Sequence, residues 1–203
     1  MSLAVLKSRA LLGMSAPLVT VEVHLANGLP SFNIVGLPEA EVKESKDRVR
    51  AAILNAQLEF PAKRITVNLA PADLPKAGGR FDLPIALGIL LASGQLQAKN
   101  IHRYEFAGEL SLSGELRPIH GALAMTFGLT QAALVENREP PIVVLPFENC
   151  MEAALVSRAR VWAARSLLEV CAKLSAPEAQ IDFEIDEAVL TCQDGDEKDW
   201  LDV

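Results

Sequence analysis

Apolar and polar residues alternate with a period of two near the start of the chain, where residues 19–25 read VTVEVHL. This period predicts a strand that buries one face. The turn-forming sequence NGLP follows at residues 27–30, and residues 31–35 read as a returning strand, so these two strands are predicted to form a β-hairpin. Gly36 is expected to end the second strand, and Pro38 suits the first turn of a helix.

The hydrophobic pattern then changes to a helical period. Val42, Val49 and Ile53 fall on one stripe of a helix that we predict over residues 39–57. Farther along, residues 70–80 contain two prolines and two glycines, which break regular structure. This stretch is therefore expected to be an irregular loop.

Strands and helices continue to interleave through the rest of the chain. Ser113 and Gly114 have turn chemistry, and the strands predicted on either side, over residues 104–112 and 116–119, indicate a second hairpin. The other predicted elements are strands over residues 64–69, 142–145 and 161–164 and helices over residues 82–93, 121–135, 149–156 and 166–174. Asp82 is the expected cap of the first of these helices. Hairpins mixed with helices and single strands predict an α+β or mixed α/β domain.

The composition is that of a folded globular chain. Of 203 residues, 50% are hydrophobic and 22% are charged, which excludes a disordered chain or a fibrous repeat. No apolar run reaches the roughly 18 residues that a membrane-spanning helix needs. The first residues also lack the basic-then-apolar pattern of a signal peptide. We expect a cytoplasmic protein with no membrane partner.

Charge is distributed unevenly along the chain, although the net charge is −7. Residues 43–80 hold eight Lys or Arg and four Asp or Glu, a net charge of +4. Residues 178–203 hold ten acidic residues and one lysine, a net charge of −9, and after Leu190 they lack a core pattern. We therefore predict a folded domain over residues 1–176 and an acidic linker over residues 177–203 that leads to a further module.

Basic side chains in two segments are the candidate binding residues. Those on the predicted helix favour a phosphate-contacting surface, and a merely solvated helix face is the alternative. A glycine-rich loop opens the helix at residue 82, where free backbone N–H groups favour an anion, and a plain strand-to-helix connection is the alternative. No aromatic residue lies among the basic residues of this helix, so stacking of nucleic-acid bases has little support here. The candidates are Lys43, Lys46, Arg48 and Arg50 on the helix and Lys76 and Arg80 in the loop.

Recurrent catalytic motifs are missing from the sequence. It contains no GxxxxGK[ST] phosphate loop, no GxSxG elbow and no HExxH, and its cysteines and histidines lack the spacing of a metal site. We expect no catalytic residue, no metal and no cofactor in this chain.

Two long segments carry a family resemblance. Residues 28–53 (GLPSFNIVGLPEAEVKESKDRVRAAI) and 60–90 (FPAKRITVNLAPADLPKAGGRFDLPIALGIL) resemble the ComM/YifB family of Mg-chelatase-like AAA+ proteins. The resemblance implies the non-catalytic N-terminal domain of a hexameric ATPase or helicase that acts on DNA in branch migration, natural transformation and recombination. It implies single-stranded or branched DNA and further copies of the chain as partners. ATP and Mg would bind only to the AAA+ module beyond the linker.

A more distant resemblance concerns the fold. The chain is similar to the proteolytic domain of Lon protease and to the C-terminal domain of the recombination protein RadA, in a frame that includes Gly78, residues 107–111 and residues 144–149. This implies a mixed β-sheet packed by helices. Arg80 stands where Lon has its nucleophilic serine and Leu123 where it has the lysine, so the resemblance implies a Lon-like domain without the protease dyad.

Three other functions stay open at this point. The first is a purely structural oligomerisation domain, whose basic segment would face an acidic neighbour. The second is a Mg-chelatase-type subunit acting on a tetrapyrrole. The third is a degenerate Lon-like peptidase with a displaced dyad, in which Lys76 would act with Ser111 or Ser113.

Overall fold

The first strand of the fold lies at a place where the sequence predicted none. In a computed structural model we describe residues 2–13 and 15–176, and strand β1 (Ser2–Arg9) precedes β2 (Leu18–Ala26), with which it pairs antiparallel. Every second residue of β1 is buried from Ala4 through Leu6 to Ser8, so this strand turns one face to the core. The predicted mixed α+β class is confirmed. The predicted linker over residues 177–203 lies outside the described residues.

The main sheet has four strands in the order β1-β2-β4-β3, where β3 is Ser31–Val35 and β4 is Arg64–Ala70. The predicted hairpin of β2 and β3 is therefore wrong. β4 lies between them, antiparallel to β2 and parallel to β3. The turn before β3 does reverse the chain, but β4 contributes fully buried Ile65, Val67 and Leu69 and thus takes the central position.

One helix packs on this sheet and a second helix packs against the first. Helix α1 (Ala40–Asn55) buries Val42, Val49 and Ile53, as its pattern predicted. Helix α2 (Asp82–Ser93) packs on β1 and β2 and is buried on nearly all sides, as expected for a helix without a polar face. Within residues 2–13 and 15–176, no helix is long and apolar enough to cross a membrane.

A second, parallel sheet is formed by the rest of the described chain. Its strands lie in the order β5-β8-β9, and the short strands β6 and β7 form a separate antiparallel pair. The second predicted hairpin is thus confirmed only for β6 and β7, because β5 pairs with β8. The strands are β5 (Tyr104–Phe106), β6 (Glu109–Leu110), β7 (Leu116–Arg117), β8 (Ile142–Pro146) and β9 (Arg160–Ala164). The helices are α3 (Ala122–Val135), α4 (Cys150–Ala154) and α5 (Leu167–Leu174).

The loop between β4 and α2 is irregular, as predicted, apart from one 3₁₀ turn at Gly79–Phe81. A buried lysine fastens it to the end of β3. The Lys76 ammonium donates hydrogen bonds to the carbonyl oxygen of Gly36, at 2.8 Å, and to that of Pro71. The backbone N–H of Glu39 donates to the carbonyl oxygen of Lys76 at 3.1 Å. The loop therefore has one fixed position beside α1.

Gly36 occupies a position that we predict no other residue can take without loss of stability. Its φ is +100°, and an added Cβ would lie 2.8 Å from the carbonyl carbon and 2.9 Å from the nitrogen of Leu69. We expect Gly36→Ala to lower the free energy of unfolding by about 3 kcal/mol, because backbone strain and overpacking act together. Urea denaturation measures the change.

The matched control is Gly94, which ends α2 at φ +79° with nothing within 4 Å of an added Cβ. Gly94→Ala carries the conformational cost alone, about 1 kcal/mol. Equal losses in the two variants would contradict the close approach of Gly36 to Leu69.

Candidate nucleic-acid interface

A cleft of about 260 Å³ opens where α1, β3 and the start of β4 meet. Arg50 of α1 places its guanidinium 5.2 Å from the ring centroid of Phe60, and that ring lies 5.9 Å from the ring of Phe32 on β3. Lys63 lines the same cleft. The parallel pairing of β3 with β4 holds these groups together, and the N–H of Ser31 donates to the carbonyl oxygen of Lys63 at 3.3 Å.

A row of basic side chains leads along α1 to this cleft. Lys43, Lys46 and Arg50 follow one another at three- and four-residue steps, so they share one helix face. Lys43 and Arg50 are exposed and Lys46 is half-buried, while exposed Lys63 and Arg64 lie at the far end. We call these five residues the cationic ridge. None of the five forms an ion pair with a carboxylate of the described residues.

The chemistry of the ridge and cleft suits a nucleic acid strand. Unpaired ammonium and guanidinium groups contact phosphates, and aromatic rings provide faces on which bases stack. The sequence placed no aromatic residue among the basic residues of α1, and the structure brings half-buried Phe32 and Phe60 to the end of the ridge from outside α1. Analysis of the sequence also missed Lys63 and Arg64 as site residues, although the run FPAKR at residues 60–64 carried the signal.

Arg48, a predicted phosphate contact, turns inward from the ridge. Its guanidinium donates to the carboxylate of Asp82 at 2.7 and 3.1 Å, and the backbone N–H of Leu110 donates to the same carboxylate at 3.2 Å. Asp82 is therefore not the cap of α2, as had been predicted, but the point where α1, α2 and β6 join. Burial raises the pKa of Asp82 to about 6, against the opposing effect of Arg48.

The two predicted contacts from the loop are also internal. Lys76 is fully buried on its two carbonyl oxygens, so the ammonium is not presented to a phosphate. Arg80 is only 7% exposed, and its Nη2 donates to the carbonyl oxygen of His120 at 3.0 Å. The N–H of Gly78, which was expected to receive an anion, donates to the carboxylate of Glu41 at 2.9 Å. Of the six candidates, the structure thus brings three together on the ridge, buries Lys76 and Arg80, and pairs the half-buried Arg48 with Asp82.

The two positions at which the resemblance to Lon places its dyad line different cavities. Arg80 lines a cavity with His120, whereas Leu123 lines a different one with Phe127 and Leu155. The backbone N–H of Leu123 donates to the carboxylate of Glu152 at 2.9 Å.

The alternative of a displaced dyad, in which Lys76 would act with Ser111 or Ser113, is wrong. The Lys76 ammonium contacts carbonyl oxygens, while the hydroxyls of Ser111 and Ser113 bond to each other at 2.8 Å. The Ser113 hydroxyl also contacts the carboxylate of Glu115 at 3.2 Å, and neither serine contacts the Lys76 amine that a serine–lysine peptidase requires as its base. Over residues 2–13 and 15–176, no group of three or more His, Cys, Asp or Glu could hold a metal ion.

Comparison with known proteins gives consistent matches. Residues 21–149 match the family model described as subunit ChlI of Mg-chelatase. The competence protein ComM of Haemophilus influenzae is 53% identical over 178 residues, which are 88% of this chain and 34% of that protein. The proteins named YifB in Salmonella typhimurium and Escherichia coli are 50% and 47% identical over 179 residues, with the same coverage. The chain spans about a third of the length of these relatives.

The Arg48–Asp82 pair predicts a specific dependence of stability on pH. Because the pKa of Asp82 is about 6 in the folded protein and that of an unperturbed aspartate is 3.8, the folded state holds a proton that the unfolded state releases between these values. The stability that Asp82 contributes therefore falls as pH rises from 4 to about 6. We expect the free energy of unfolding of the wild type to fall by on the order of 2 kcal/mol between pH 4 and pH 7, relative to that of Asp82→Asn over the same range.

Urea denaturation at four pH values measures this difference. Asp47→Asn, on the exposed side of α1, is the control and is expected to follow the wild type at every pH. Parallel curves for wild type and Asp82→Asn would show that Asp82 titrates alike in both states.

Proposed function

The chain belongs to the ComM/YifB family of Mg-chelatase-like proteins, and on that premise we propose that it is a DNA-contacting and ring-assembling domain of a longer ATPase. In this proposal a AAA+ module of the whole protein binds ATP and Mg, works as a hexamer and drives branch migration of DNA in the cytoplasm. The present domain performs no catalysis. The name of the Haemophilus relative, a competence protein, agrees with a role in natural transformation and recombination.

The observation that carries the proposal is the cationic ridge that ends in an aromatic cleft. Exposed and half-buried cations without carboxylate partners keep their charge available for phosphates, and each contact releases counterions from the DNA. Phe60 and Phe32 add ring faces, which only an unpaired base can reach. The combination supports single-stranded or branched DNA over a closed duplex.

Ring assembly is the second part of the proposal. The +4 charge of residues 43–80 leaves −11 on the rest of the chain, so opposite charges lie on separate segments. Head-to-tail contacts between identical subunits join two different surfaces, and complementary charge favours such contacts. A purely structural domain would use the same charges for subunit contacts alone, and the DNA experiments below decide between the two.

We predict that charge reversal in the ridge weakens DNA binding. Arg50→Glu with Lys63→Glu is expected to raise the Kd for a labelled single strand at least about tenfold at low salt. The slope of log Kd against log salt is expected to fall by about 1.4, since each phosphate contact on a single strand contributes roughly 0.7. Fluorescence anisotropy at several salt concentrations gives both values.

The control makes the same change in charge outside the ridge. Arg138→Glu with Arg158→Glu alters two exposed arginines and is expected to leave most of the affinity intact. If the two double variants bind equally, or if the wild type does not bind at low salt, the ridge is not a DNA surface and the structural role is favoured.

We predict that the aromatic cleft distinguishes single strands from duplexes. Phe60→Leu keeps an apolar side chain but removes the ring, and it is expected to weaken single-strand binding about fivefold or more. Duplex binding is expected to stay within about twofold, because paired bases do not reach the ring. Phe147→Leu is the matched control, since the Arg165 guanidinium lies 3.5 Å from the centroid of that ring in another part of the fold. Equal effects on both forms of DNA would contradict stacking.

A further inference from the structure

A groove of about 180 Å³ lies along helix α5, where the described part of the chain ends. Leu168, Ala172 and Ser175 follow one another at four- and three-residue steps, so one face of α5 forms a wall of the groove. The segment after α1, the end of α2 and the turn after α2 form the rest. They contribute Leu58, Leu90 and Leu96.

The polar side chains at this groove are already satisfied. The side-chain amide of Gln95 accepts from the N–H of Glu59 at 2.8 Å and donates to the carbonyl oxygen of Glu59 at 2.7 Å. The Ser175 hydroxyl donates to the carbonyl oxygen of Cys171 at 2.9 Å. The groove therefore offers apolar surface and no polar side chain that needs a partner, which favours an apolar occupant.

The apolar surface is open at the α5 wall. Leu168 is 53% exposed, whereas Leu90 and Leu96 are buried below it. A single exposed leucine is ordinary in a folded protein. Here the leucine borders a groove with an apolar floor, so a side chain that enters the groove contacts apolar atoms on several sides.

The position at which the described chain ends indicates the occupant. Ser175 lines the groove, and half-buried Ala176 packs against the same core cluster as Leu58. The N–H of Ala176 donates to the carbonyl oxygen of Lys173 at 3.0 Å, so this end of the chain is held on the rim. A segment joined to the rim has an effective concentration of about 1 mM, which a separate partner rarely reaches.

The sequence beyond residue 176 contains an apolar stripe of matching length. Residues 181–185 read IDFEI, three apolar residues that alternate with two acidic ones. In an extended chain this stripe is about 13 Å long, and the α5 face from residue 168 to residue 175 is about 10 Å long. The five steps from residue 176 to residue 181 reach up to about 17 Å, which is enough for the chain to turn back along α5.

We propose that residues 181–185 of this chain dock in the groove, with Ile181, Phe183 and Ile185 against α5 and the two acidic side chains directed to solvent. The volume lies below the usual range for small-molecule sites and suits one large side chain, for which Phe183 is the candidate. The proposal does not depend on DNA binding, because it uses no residue of the cationic ridge. In it, the linker to a further module begins after residue 185.

The first test observes the groove in the full 203-residue chain by NMR of its methyl groups. We expect nuclear Overhauser effects between the Phe183 ring and the methyl groups of Leu168. Ile181→Ser with Phe183→Ser is expected to shift the methyl signals of Leu58, Leu168 and Ala172. Val189→Ser with Leu190→Ser removes two apolar side chains from the same part of the sequence and is expected to leave those signals unchanged.

Both pairs of changes lie beyond residue 176, so neither alters a residue of the described domain. No contact between Phe183 and Leu168, or equal methyl shifts in the two double variants, would overturn the proposal. A second copy of the chain is the competing occupant. Methyl shifts that grow with protein concentration and that Ile181→Ser with Phe183→Ser does not affect would assign the groove to that copy and also overturn the proposal.

The second test changes the groove instead of the segment. Leu168→Asp alters an exposed residue and is expected to speed cleavage after Glu184 by a glutamate-specific protease about fivefold or more, because cleavage requires the undocked segment. Cleavage after Glu197 is the internal reference and is expected to keep its rate. Leu155→Asp, at a leucine that is 76% exposed after α4, is the matched control. Equal rates after Glu184 in the wild type and Leu168→Asp would overturn the proposal.

Discussion

The ion pair of Arg48 with Asp82 is the constraint on which the other surfaces of the domain depend. It joins α1 to the first residue of α2 and, through the N–H of Leu110, to β6. Burying a carboxylate costs several kcal/mol, and the two guanidinium bonds and one backbone bond offset much of this cost. Because the pair fixes α1 by its side rather than by its ends, the two polar stripes of α1 are held in place on either side of the domain.

Helical geometry explains why charges of opposite sign on α1 do not neutralise one another. Residues 41, 44 and 48, which are two glutamates and an arginine, line the cavity beside the glycine-rich loop, and residues 43, 46 and 50 belong to the ridge. The two series have the same spacing and are offset by two positions, which is a rotation of about 200° around the helix. A third stripe with Val42, Val49 and Ile53 faces the core. A helix whose net charge is small therefore presents three basic residues on one side and its glutamates, together with Arg48, on the other.

The sequence predicted the elements of this fold better than their pairing. Periodicity identified β3, α2 and β8 within a residue of their observed ends, because burial of one face is a local property of the chain. Periodicity did not predict that β4 lies between β2 and β3. The turn residues at 27–30 indicate that the chain reverses direction, but they do not determine which strand pairs with β2. The aromatic cleft depends on that pairing, so the meeting of Phe32 with Phe60 could not be predicted locally.

For the candidate site, counting charges identified a basic segment but could not tell which of its side chains are exposed. Lys43, Lys46 and Arg50 were predicted and lie on the surface, whereas Lys76 has the same charge and is buried on two carbonyl oxygens. What separates them is the backbone around residue 76, where carbonyl oxygens that no strand partner takes up require a donor. Arg80 follows the same logic, because its guanidinium donates to the carbonyl oxygen of His120 and the side chain is only 7% exposed. The basic residues of this segment thus fall into a set that binds the fold together and a set that is free to bind a partner, and burial rather than charge decides between them.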